Sequence, residues 1–80
     1  MTNITHYEYR YRGAPHGGYG VLQTTRCVKL ARYWLREIDR YMSHEYSVYA
    51  VIANGQAYKL EREMGYGPVG YHTQDGWVTI

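Results

Sequence analysis

The sequence predicts an α+β fold of two layers, an antiparallel sheet in ββαβββ order with one amphipathic helix packed on one face. Three observations carry this. Residues Ile4 to Arg12 alternate ring and charge with period two, as in a strand with two unlike faces. Residues Arg26 to Met42 repeat their apolar positions with the 3.6-residue period of a helix. Two dipeptides of the strongest hairpin type, Asn54-Gly55 and Asp75-Gly76, interrupt stretches rich in Val, Ile and Tyr. At 80 residues the chain has the length of one domain, assigned to residues 1–80.

Each element follows in turn. In the first strand Tyr7, Tyr9 and Tyr11 share one face, and His6, Glu8, Arg10 and Arg12 the other. Residues 13–18, Gly-Ala-Pro-His-Gly-Gly, read as a flexible turn. Tyr19 to Thr25 is a second short strand, carrying Val21 and Leu22 and pairing antiparallel with the first. Thr24 or Thr25 can cap the helix that follows, its hydroxyl accepting an orphan backbone N–H. On that helix Cys27, Val28, Leu30, Ala31, Trp34, Leu35, Ile38, Tyr41 and Met42 fill one side, opposite Arg26, Lys29, Arg32, Tyr33, Arg36 and Arg40. Tyr46 to Ala53 and Gln56 to Glu63 form a hairpin about Asn54-Gly55. A two-residue turn there sets Val51 against Tyr58 and Tyr49 against Leu60. Met64 to Pro68 is a loose connection, and Val69 to Gln74 pairs with Trp77 to Ile80 about Asp75-Gly76.

Composition narrows the functional class. The chain is 45% hydrophobic and 20% charged, which supports a packed core and excludes wholesale disorder. No apolar run approaches the roughly 20 residues that span a bilayer, and no charged-then-apolar leader opens the chain, so a soluble protein without membrane contact is expected. Cys27 is the single cysteine; it permits no internal disulfide, fits a reducing cytoplasm, and on the apolar arc reads as a small core residue. Eleven tyrosines and two tryptophans stand beside no phenylalanine, so many rings are expected to keep their hydroxyls near water.

Catalysis finds little support. His6, His16, His44 and His72 are scattered, with no H-x-x-x-H or C-x-x-C spacing for a metal. Ser43 and Ser47 lie in no nucleophile elbow. The run Gly17-Gly18-Tyr19-Gly20 precedes a strand instead of a helix and lacks the phosphate-loop lysine. No catalytic residue, metal or cofactor is expected.

Two surfaces stand out as binding candidates. Residues 26–42 carry five cations and two acids, net +3, while residues 43–80 carry two cations and four acids, net −2. Lys29, Arg32, Arg36 and Arg40 run in a near-continuous row beside Arg26 and Tyr33, and arginine suits bidentate contact with carboxylate or phosphate. A solvated outer face is the plainer account of such a row, though solvated faces usually interleave the two signs. The second candidate is the tyrosine face of strand one, Tyr7 and Tyr9, with Arg10 and Arg12 behind it. Rings on an open sheet interleaved with arginine are how single-stranded nucleic-acid binders stack bases. Against that reading, the net charge is only +2 and the pI 8.7.

The length, the strand and helix order, and the closing hairpin Tyr71-His72-Thr73-Gln74-Asp75-Gly76-Trp77 resemble small phage-encoded anti-CRISPR proteins that inhibit type I systems, across nearly the whole chain. The resemblance implies a cytoplasmic, non-enzymatic protein that binds the host's RNA-guided surveillance complex stoichiometrically and blocks target DNA binding. Many members imitate DNA with acidic surfaces. A net basic chain would instead meet an acidic patch on a Cas protein subunit, or the guide-RNA backbone. The competing expectations are a single-stranded nucleic-acid-binding module using the Tyr/Arg sheet face, and a small nuclease-like enzyme.

Overall fold

A computed structural model describes residues 3–12 and 19–80 of the chain, and the turn expected at 13–18, with His16, lies outside the described residues. Its strands are β1 (Ile4–Arg12), β2 (Tyr19–Thr25), β3 (Tyr46–Ile52), β4 (Ala57–Lys59), β5 (Glu61–Arg62), β6 (Val69–Thr73) and β7 (Gly76–Thr79). The helix α1 (Val28–Arg40) follows β2, and a 3-10 turn (Glu63–Gly65) follows β5. The fold is α+β, with antiparallel sheets and one helix packed on them.

The expected single sheet is instead two. Strands β2-β1-β3-β4 form one sheet and β5-β6-β7 a smaller second one. The physical cause is Leu60. Its N–H donates to Val48 O at 2.8 Å, while its side chain is almost fully buried. Strand four of the sequence reading therefore breaks there, and the chain leaves the first sheet to start the second. Both sheets contribute to one core. Tyr7, Val48 and Ala50 come from the first sheet, Ala31, Trp34 and Leu35 from α1, and Leu60, Val69 and Tyr71 from the joint and β6.

The alternation of β1 holds, but its tyrosine face is turned to the helix. Tyr9 stacks on Trp34 with centroids 5.4 Å apart, and on Tyr46 at 5.5 Å. Tyr11 continues the series against Tyr46 at 5.1 Å. Beyond them Tyr58 stacks on Tyr71 at 5.1 Å, tying the first sheet to the second. Such pairs add about 0.5–1.5 kcal/mol each to what burial alone supplies.

Helix α1 is shorter at each end than its periodicity predicted. At the start, Cys27 N–H donates to Thr25 Oγ1 at 3.0 Å, which holds Cys27 extended, outside the helix and exposed. The expectation that Cys27 is a core residue is thus corrected: it precedes the turn that would carry it inward. Thr25 does use its hydroxyl at this end, though on the N-cap residue itself. At the other end Met42 N–H bonds to Asp39 O and Ser43 N–H to Ile38 O, the paired closure of a Schellman motif. Met42 takes the left-handed position at φ +50 that glycine usually fills. Tyr41 and Met42 therefore leave the apolar arc and are exposed.

Register also differs from expectation at both hairpins. Tyr49 pairs with Lys59, and Ala50 with Tyr58, one residue away from the predicted pairing. Only Gly55 takes positive φ, +89, so the loop is the three residues 53–55 with a left-handed glycine last, not a two-residue turn. In the closing hairpin Thr73 pairs with Gly76, placing the loop at Gln74-Asp75. There Thr73 Oγ1 accepts from Asp75 N–H at 3.1 Å. Gly70 on β6 admits no side chain, since a Cβ would run into the backbone carbonyl of Val78.

Trp34→Ala removes the ring on which Tyr9 rests. Urea unfolding should show a loss of about 3–5 kcal/mol, enough to unfold much of the population of a domain this size. Tyr71 has the opposite expectation. Its hydroxyl is the buried side-chain polar atom left without a hydrogen bond among the described residues. Tyr71→Phe should therefore leave stability unchanged or raise it by about 1 kcal/mol, because an unsatisfied buried group is itself costly.

Candidate functional site

The inward packing of Ala31, Trp34 and Leu35 sends the opposite helix face to solvent. Lys29, Arg32, Tyr33, Arg36 and Arg40 are all exposed there, with Arg26 exposed just before the helix. The second sheet then supplies a residue that sequence reasoning missed. Arg62 of β5 reaches the helix and its Nε donates to Asp39 Oδ2 at 3.0 Å. Lys29, Arg32, Tyr33, Arg36, Arg62 and Val69 together line a shallow basin of about 300 Å³, and no acid is among them. Nothing in the local pattern of Glu61-Arg62 marks it as part of the basic row; the break at Leu60 brings it there.

The cations differ in what holds them. An Arg32 Nη donates to Ile80 O, which ties the helix to the end of β7. Arg36 lies over the Tyr33 ring, 5.5 Å from its centroid, and Arg40 over Tyr41 at 5.6 Å. Arg62 is oriented by Asp39, so one of the two acids of the helix is engaged with a cation of the second sheet.

The tyrosine candidate is corrected. Tyr7 is 6% exposed and lies in the core, and Tyr9 is half-buried under Trp34, so neither ring forms an open stacking surface. The helix covers the face that the reading left open, because that face carries the rings while the opposite one carries His6, Glu8 and Arg10. Burial, with the neighbouring Tyr71, raises the Tyr7 hydroxyl pKa, while Arg32 offsets part of the rise.

The outer face of the sheet is polar and internally matched. Arg10 Nε and Nη2 donate to Glu8 Oε1 at 2.9 and 2.6 Å, and His6 Nε2 lies 3.0 Å from Glu8 Oε2. The Arg10 guanidinium also covers Tyr49, 4.1 Å from the ring centroid. Arg12, by contrast, is exposed at the end of β1. Hydrogen bonding from His6, with that from Arg10, holds the Glu8 carboxyl below its ordinary pKa against the opposing cost of burial.

Of the described histidines, His44 and His72 do not converge with His6. His72 meets Trp77 edge-on at 5.0 Å, and His44 lines a cleft of about 350 Å³ near the end of α1, with Leu35, Ile38, Leu60 and Gly65. Among the described residues no three His, Cys, Asp or Glu side chains gather as metal ligands. No helix of the described residues is long and apolar enough to cross a membrane.

Comparison of the chain with protein-family models, with curated proteins and with solved structures finds no match.

The Glu8 cluster has a pH signature. A depressed folded-state pKa means that Glu8 stabilises the fold at neutral pH, and that the contribution is lost as pH falls through the depressed value. Glu8→Gln should cost about 1–2 kcal/mol at pH 7, as expected for hydrogen bonds to a charged group. The gap between variant and parent should close as unfolding is repeated below the ordinary carboxylate range. A gap that stays constant with pH would assign the loss to packing.

Proposed function

We propose that the chain is a non-enzymatic binding protein that docks through the outer face of α1 on an anionic surface. In its specific form, it is a phage or mobile-element inhibitor that binds an RNA-guided type I surveillance complex in the host cytoplasm and blocks target DNA binding by stoichiometric association. The supporting observation is the basin itself: Lys29, Arg32, Arg36 and Arg62 around Tyr33, with no acid in the lining.

Arg62 reaches this face from a separate sheet, is held there by Asp39, and sets a fourth cation beside Lys29, Arg32 and Arg36. Like charges drawn together raise the local potential and attract a counter-charge at a cost in self-repulsion. The two residue types most prominent here, arginine and tyrosine, are also those that anchor interfaces. The binding residues on this reading are Lys29, Arg32, Tyr33, Arg36 and Arg62, extended by Arg40 along the helix and by Arg26 before it. Arg10 is engaged with Glu8 and takes no part. The specific target follows from the resemblance in size and element order to type I anti-CRISPR proteins, and a net basic face directs it to an acidic Cas subunit surface or to guide-RNA backbone.

The test is the double change Lys29→Glu with Arg36→Glu, chosen because neither side chain supports another element of the fold, whereas Arg32 holds Ile80. Surface changes of this kind alter stability by about 0.5 kcal/mol, so the melting temperature should move by only about 2–4 °C. Truncating one charge of a desolvated interfacial pair costs about 2–5 kcal/mol. Inhibition of target-DNA binding by a purified type I complex, followed by gel shift, should therefore weaken by at least about 30-fold. Full-strength inhibition by the charge-reversed protein would remove the helix face from the interface.

A further inference from the structure

We infer that the group this face recognises is the phosphate backbone of a single-stranded nucleic acid, with Tyr33 as the stacking platform for one base. The inference rests on the reading above that the outer face of α1 is the docking surface, and it names the chemistry that surface meets.

Spacing is the first argument. Lys29, Arg32, Arg36 and Arg40 step along the helix axis by about 4.5, 6 and 6 Å, covering about 16.5 Å in a row. A linear, evenly stepped row matches a linear polyanion whose charges repeat at similar intervals. A compact anion would need the cations gathered about one point, and the carboxylates of a folded protein surface are seldom so regular.

The lining supplies the second argument. Tyr33 is 48% exposed and lies on the same stripe, four residues after Lys29 and three before Arg36. Arg36 leans over the ring at 5.5 Å, an arrangement that gives a base both an aromatic plane and a guanidinium. Val69, a core residue that is nearly buried, supplies the aliphatic part of the lining. Bases reach such a platform only when unstacked from a duplex, so a single strand fits where a duplex does not. The open, shallow form of the basin also suits a strand passing across it better than a small molecule enclosed within it.

Asp39 completes the picture. It lies at one border of the row, where Arg62 Nε donates to its carboxylate at 3.0 Å and is held beside the basin. An acid that would repel phosphate is thus used to orient a cation that attracts it.

Fluorescence anisotropy of labelled oligouridine RNA, oligothymidine DNA and a DNA duplex of equal length, titrated with the intact protein, tests this directly. Both single strands should bind, and whichever binds more tightly identifies whether RNA or DNA is the natural source of the phosphates. Between about 50 and 200 mM KCl, the log–log slope of affinity against salt should be about −3, as for four phosphates on a single strand. Lys29→Ala with Arg36→Ala should make that slope shallower by about 1.4. Tyr33→Leu should weaken binding by about 5- to 160-fold and leave the slope unchanged, a split that a general loss of folding would not produce. Absence of binding to either strand at low salt, a slope unmoved by the double alanine variant, or a preference for the duplex would each overturn the inference. If the strands fail to bind while Lys29→Glu with Arg36→Glu still abolishes inhibition, the docking face stands and its partner is an acidic protein surface.

Discussion

The stacking of Trp34 on Tyr9 decides how the rest of the molecule is arranged. It seats α1 on the central strands β1 and β3, and Ala31, with no measurable exposure, lets the helix backbone come close. Once the ring is fixed, the 3.6-residue period leaves Lys29, Arg32, Arg36 and Arg40 no direction but outward. Both the buried aromatic series and the cationic face depend on this one contact. Rotating the helix by a single residue position, about 100°, would bury a guanidinium and expose the indole.

Tyrosine in place of phenylalanine also follows from this thin architecture. Two small sheets and one helix offer few positions that are buried at every atom, so a ring whose far end can remain wet suits most sites. Tyr9, Tyr11, Tyr46 and Tyr58 are of this kind, half-buried with their apolar bodies packed ring against ring. Tyr71 departs from the pattern, being wholly buried with its hydroxyl unpartnered.

Arginine is used in two contrasting ways. On the outer sheet face Arg10 is folded onto Glu8 and Tyr49, and His6 completes the carboxylate's hydrogen bonding, so the charges there are matched within the protein. On the helix face the cations are gathered and left largely unmatched, with Asp39 spent on Arg62. An internally matched cluster has little left to offer a partner, whereas an unmatched row retains most of its electrostatic potential. That contrast places the functional argument on the helix and not on the sheet.

How much of this was legible depended on the range over which each feature is determined. The strand alternation of Ile4–Arg12, the amphipathic helix, its outward basic row and the α+β class follow from local periodicity, which neighbouring residues set among themselves. The helix ends did not, because Cys27 is placed by one hydrogen bond to Thr25 and Met42 by the paired Schellman closure, neither of which periodicity registers. Register at Asn54-Gly55 slipped by one because the dipeptide marks where a chain turns, not how many residues the turn takes. Which face of β1 would be covered was equally beyond local reading, since alternation separates two faces without saying which of them meets the helix. The split into two sheets at Leu60, and with it the arrival of Arg62 beside Lys29, Arg32 and Arg36, was decided by tertiary structure alone. Arg62 and Lys29 lie far apart in sequence, and only the burial of Leu60 against the shared core brings them to one basin.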